Sequence, residues 1–321
     1  MKRKEIARSV AVGPTAGRSF SRSGLLATFG LGALALVWGY NWVAMKIALN
    51  YSEPFTFAAM RAFGGALFLF LLLLVMRKPL RPKALALTAL VGLLQTGSFL
   101  GLATWALLRG GAGKTSVLVY IMPFWLLMMA WAFLGEKLRG WQWFSVGLAL
   151  VGLFFILSPW KMQGSISSTC LAIAAGMCWA GSALVAKVLH RRHRVDLLSL
   201  TAWQTLLGSV PLIILAGLTY KTAPVWSGSF IAALAFNIVP ALGLALLVWF
   251  YVLRTLPAGW AGIGTLATPV VGIASAWIQL GERPSPGEGA GMFLIVIGLA
   301  LLAGREMAAA RRLRPGEGPS T

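Results

Sequence analysis

Ten runs of about twenty mainly apolar residues dominate this chain, and each is the length a helix needs to cross a bilayer. They fall near 24–46, 55–76, 84–108, 114–134, 141–158, 168–189, 197–218, 229–252, 259–280 and 288–304. Short polar stretches punctuate them, among them "RKPLRPK" at 77–83, "HRRHRVD" at 190–196 and "GERPSPGEG" at 281–289. None is long and polar enough to be a soluble domain. With 58% hydrophobic and 11% charged residues, the chain lies well away from soluble proteins, which are roughly 45–50% apolar and about 25% charged. The expected fold class is therefore an all-α polytopic membrane protein.

Charge sets the expected orientation. Lys and Arg number 28 against 8 Asp and Glu. In a soluble protein that excess would suggest nucleic acid; here it fits cytoplasmic loops facing anionic lipid. With the N-terminus inside and ten crossings, 21 basic residues fall on the cytoplasmic side and 6 outside, and Arg61 lies within a span. An odd number of crossings would spoil this asymmetry, so both termini are expected in the cytoplasm and the chain in the inner (plasma) membrane. Residues 1–23 read as a disordered basic tail and 305–321 as a second one. A tail is expected here over a cleaved signal peptide, because the first apolar run is full span length. Cys170 and Cys178, eight apart in one apolar run, form neither a disulfide framework nor a zinc signature.

The chain also contains itself twice. "WGYNWVAMK" (Trp38–Lys46) matches "WAGSALVAK" (Trp179–Lys187), and "PFWLLMMAWAFLGE" (Pro123–Glu136) matches "PVVGIASAWIQLGE" (Pro269–Glu282). Between them "TFAAMRAFGG" lies over "SLTAWQTLLG", placing Arg61 over Gln204. Residues 24–158 and 168–304 thus read as two five-helix repeats. Five is odd, so the second repeat enters the membrane from the opposite side. A 5+5 inverted repeat with a site between the halves is typical of secondary transporters. Pro123 and Pro269 each precede an acid by thirteen residues and are expected inside spans 4 and 9, lining a cavity.

These features carry a family likeness. The "WGYNW…K" start, the ten spans and the "GE" ends of spans 4 and 9, over residues 25–304, resemble the EamA-type members of the drug/metabolite transporter superfamily. The resemblance implies ten helices in a 5+5 inverted repeat and export or exchange of small metabolites, often amino acids. It also implies a central cavity lined mainly by spans 1, 3, 4, 6, 8 and 9. Pro284 directly after "GER" departs from the pattern and blurs the start of span 10.

Polar groups in hydrocarbon are expensive, so intramembrane polar residues are the candidate contacts. Asn41 and Ser182 are repeat equivalents, each three residues after Trp38 or Trp179 and so on the same helix face. Gln95 and Ser98 mark span 3, Tyr120 span 4 and Thr268 span 9; Trp125 and Trp249 could supply flat walls. Asn41 and Gln95 lead this set, because an amide both donates and accepts. Arg61 reads as snorkelling or holding an outer gate. Glu136 and Glu282, at helix ends on opposite sides, read with Pro123 and Pro269 as hinge or gate residues. Lys46 and Lys187 are expected to snorkel. No Asp or Glu falls in mid-span, which argues against a simple carboxylate proton relay. The cavity looks nearly uncharged, suiting neutral or zwitterionic cargo.

An enzyme is the competing reading, because "GAGKT" (Gly111–Thr115) resembles the end of a phosphate-binding loop. That motif needs a glycine at position 108, where Leu108 stands, and a preceding strand, where a span runs. The run reads instead as a small-residue turn between spans 3 and 4. His190 and His193 sit in a basic loop, and no intramembrane carboxylate pair exists, so no catalytic residue, metal site or cofactor is expected. A membrane-embedded enzyme and a non-transporting scaffold or receptor remain alternatives to a transporter. The expected partners are a small-molecule substrate and the bilayer, not nucleic acid; the oligomeric state stays open, with a monomer among the options.

Overall fold

The computed structural model describes residues 22–134, 140–157, 166–255 and 267–312, and all regular structure among them is helical. Glu136 lies outside the described residues. In chain order the helices are α1 (Arg22–Ala48), α2 (Pro54–Val75), α3 (Leu85–Arg109), α4 (Ala112–Val119), α5 (Met122–Leu134), α6 (Gly140–Leu157), α7 (Ile166–Arg192), α8 (Leu197–Thr219), α9 (Gly228–Val252), α10 (Ala267–Leu280) and α11 (Pro286–Arg312). Among the described residues, seven stretches are long and apolar enough to cross a membrane: those of α1, α2, α3, α4 with α5, α7, α8 and α9. Shorter apolar helices stand where spans 5, 9 and 10 are expected, at Trp143–Gly152, Thr268–Leu280 and Gly289–Gly298.

Burial runs opposite to that of a soluble protein. Phe29, Leu218 and Ile278 are 75%, 78% and 84% exposed, while Asn41, Arg61, Gln95, Gln204 and Asn237 are buried. In water the outer surface would be an aggregation patch. In lipid it is solvated, and the polar groups turn inward because hydrocarbon offers them no partner.

The helices exchange partners between repeats. α1 packs on α9 and α10, and its counterpart α7 packs on α3, α4 and α5. α2 lies against α8 and α9, α8 against α2 and α3, and α6 against α11. The space between the halves is therefore walled by both. Two of these crossings run over widened π-helical turns, Leu93–Ser98 in α3 and Asn237–Leu244 in α9. Pro240 lies in the second and cannot donate the usual backbone bond, which accounts for the altered winding there.

Pro123 does not sit in one continuous helix. The chain turns at Tyr120 and Ile121, and Pro123 stands in the first turn of α5, where its missing N–H costs nothing. Asp196 begins α8 by accepting from the N–H groups of Leu198 and Ser199 at 3.0 Å each, with Lys78 Nζ 3.4 Å away. Asp196→Ala is expected to cost about 1 kcal/mol, almost all from the lost cap, since the ion pair is solvent-exposed. Thermal unfolding in detergent measures it, and Lys78→Ala should move the midpoint far less.

Candidate functional site

A cavity of about 530 Å³, its open mouth included, lies where α1, α2, α3, α7 and α9 meet the α4–α5 turn. The two repeat-equivalent tryptophans meet in its wall. Trp38 and Trp179 touch edge to face at 5.5 Å, and Trp249 packs on each of them at 5.7 Å. Phe99 and Tyr120 complete the cluster, each 5.2 Å from Trp179. Edge-to-face packing locks such rings in place, so the wall is preformed. Trp38 is fixed further by donating from its indole to the Ala241 carbonyl in the π turn of α9, at 2.9 Å.

The polar residues come from the helices the sequence points to, with one addition. Asn41 lines the cavity, its Nδ2 3.4 Å from Met45 Sδ, and its Oδ1 has no partner among the described residues. Gln95, in the π turn of α3, also lines it and accepts from Ser182 across the repeat interface. Ser182 and Trp249 thus act from behind the wall. Thr268 is buried beside the Tyr120 phenol, while Ser98 and Trp125 are only partly buried and do not line the cavity. Arg61 lines the cavity together with Met45, Thr96 and Leu242, rather than standing at a rim. No local pattern marks Thr96, Met45 or Leu242, because helix packing rather than residue type brings them there.

At one end of the bundle a contact ties the two repeats together. Gly281 closes α10 with a left-handed φ of +66°, and Glu282 turns back to accept from the N–H groups of Ala112 and Gly113 at 2.9 and 3.1 Å. These are the free donors of α4, where a carboxylate is favoured by the helix dipole. Lys46 Nζ does the complementary work on α3, donating at 2.8 Å to the carbonyls of Leu107 and Gly110, and Ser168 binds Ala106 O. The "RGGAGK" turn is thus an anion-binding helix start after all, and its anion is Glu282 of the other repeat. Its glycines leave the room: a Cβ on Gly111 would stand 2.9 Å from Glu282 Oε2, and one on Gly110 2.5 Å from Ser168 Oγ. Lys46 therefore caps a helix instead of snorkelling.

The same architecture recurs in known proteins. The chain is 30% identical to the uncharacterised transporter YoaV of Bacillus subtilis over 84% of its own length and 94% of that protein. It is 28% identical to a probable amino-acid metabolite efflux pump of Salmonella typhimurium, covering 83% of this chain and 91% of the other. A solved crystal structure superposes with a TM-score of 0.66 over 91% of this chain and 99% of its own, at 19% identity, which speaks for the fold alone. The profile of the EamA-like transporter family matches twice, at residues 25–158 and 166–304, and with that double match the chain belongs to the EamA-like transporter family.

Proposed function

We propose that this protein is a secondary exporter or exchanger of small neutral or zwitterionic metabolites, amino acids among them, in the inner membrane. On this reading ten helices cross as two inverted repeats, both termini are cytoplasmic, and one repeat rocks against the other to expose the cavity alternately. The observation that carries it is the aromatic cavity at the junction of the repeats, lined by buried polar side chains and tied at one end by Glu282. The efflux-pump name of the Salmonella relative supports export of amino-acid metabolites.

Asn41 and Gln95 are assigned to cargo binding and Tyr120 and Trp179 to the walls. Counterflow into proteoliposomes, run over amino acids, nucleosides and cationic drugs, tests the function; no flux for any of them overturns it. The double variant Asn41→Ala, Gln95→Ala is expected to raise KM at least tenfold at equal protein incorporation. That change corresponds to about 1.4 kcal/mol, within reach of one lost hydrogen bond to a polar cargo group. An unchanged KM would remove these two residues from the site while leaving the transport assignment intact.

A further inference from the structure

Arg61 is the feature of the cavity that neutral cargo does not explain. It is 3% exposed, yet its guanidinium has almost nothing to bind. Nη1 donates to Met45 Sδ at 3.0 Å, a weak acceptor, and the Phe57 ring lies 5.9 Å from the guanidinium carbon. Nε has no partner among the described residues. No ion pair to Arg61 occurs among the described residues, where Asp196 is engaged with Lys78, Glu282 with the start of α4, and Glu53 with Lys221 N and Thr222. Gln204, the repeat equivalent of Arg61, shows what a settled residue looks like here. It accepts from Thr96 at 3.0 Å and donates to Thr205 at 2.8 Å. A buried cation without a counterion is costly, and a fold keeps one where a ligand supplies the anion.

Two further cavity groups are also unmatched. Among the described residues Trp179 Nε1 is a buried donor without a partner, and Asn41 Oδ1 a buried acceptor without one. Asn41 and Arg61 are joined through the same Met45 sulfur, so the unmatched acceptor and the cation are neighbours.

We infer that Arg61 is the anion anchor of the cavity, and that the cargo carries a carboxylate beside a hydrogen-bond donor on an apolar or aromatic body. This rests on the reading of the cavity as the cargo site. The planar guanidinium fork matches a carboxylate, Asn41 Oδ1 takes the neighbouring amino or hydroxyl hydrogen, and the tryptophan cluster covers the body. Cationic cargo without a carboxylate is disfavoured by the same charge.

The test uses the purified full-length protein and matched acid and amide pairs: leucine with leucinamide, phenylalanine with phenylalaninamide, and phenyllactate with its amide. Binding is read by thermal shift and by the fluorescence of the wall tryptophans. At least one acid is expected to bind tenfold or more tighter than its amide. Arg61→Gln, which installs the residue of the other repeat, should erase that preference without lowering the melting temperature of the ligand-free protein. Arg61→Lys should keep a reduced preference. Equal binding of acids and amides, no acid bound, or an Arg61→Gln variant that keeps the preference or melts well below wild type would each overturn the anchor. Flux confined to compounds without a carboxylate would overturn it while sparing the transporter reading. Acid binding without flux of any compound would do the reverse.

Discussion

Gly208→Ala is expected to be among the most damaging conservative substitutions in this protein, and Gly92→Ala to match it. α3 and α8 cross at these two residues with no side chain between their backbones. A Cβ on Gly92 would stand 2.3 Å from the Gln204 carbonyl oxygen, and one on Gly208 2.2 Å from the Gly92 oxygen and 2.5 Å from Thr96 Cβ. The obstacles are backbone and a β-branched carbon, which cannot rotate aside, so the helices must part. In a membrane, close backbone approach at small residues is a principal source of helix association, because apolar burial contributes little between helices already in lipid. Parting them also stretches the Thr96–Gln204 hydrogen bond. Overpacking costs about 1–3 kcal/mol, and obstacles that cannot rotate aside put these two sites at the upper end. The control lies on the same helix: a Cβ on Gly217 meets nothing within 4 Å. Gly217→Ala should therefore leave the melting temperature in detergent unchanged or slightly raised, through helix propensity. If Gly208→Ala melts with Gly217→Ala, the close crossing is wrong.

How much of this could be read from the chain alone differs between fold and site. Apolar run length and the repeated "W…K" and "P…GE" segments are local signals, and they carried the helical class, the two repeats and the family. Trp38 and Trp179 were legible for the same reason, since they stand at matching places in the two repeated segments, and their rings touch. Arg61 was legible as a charge within a span but not as a cavity residue. Only the packing of α2 against α8 and α9 decides which way it faces. The π turns were hidden because winding is set by the tertiary crossing, although Pro240 was a hint in α9. "GAGKT" misled in the opposite sense. Its glycines and free N–H groups do form an anion site, but the anion is Glu282, some 170 residues away in sequence, and no local pattern encodes such a contact.

Glu282 is where the second large effect is expected, because its two hydrogen bonds tie the repeats together at one end of the cavity. Glu282→Ala leaves the α4 N–H groups of Ala112 and Gly113 without their carboxylate and removes a charge that Lys46 and the α4 dipole favour. Hydrogen bonds to a charged group contribute about 1.5–3 kcal/mol each, so losing the equivalent of even one of the two should lower the population of the closed arrangement roughly ten- to a hundredfold. The readout is alkylation of an Ala103→Cys probe in the cavity wall, in a background lacking Cys170 and Cys178. A membrane-impermeant reagent added from the side of the α3–α4 turn, outside in the proposed topology, should react at least tenfold faster once Glu282 is removed. Gly111→Val gives an independent route to the same state. Its side chain occupies the place of Glu282 Oε2 and expels the carboxylate with its charge intact. The two substitutions break one contact, so the double variant should react no faster than the faster single variant, whereas separate contacts would give additive free energies. Additivity, or an Ala103→Cys rate indifferent to Glu282, would mean that the carboxylate only trims the end of α4 and that the cavity is closed by something else.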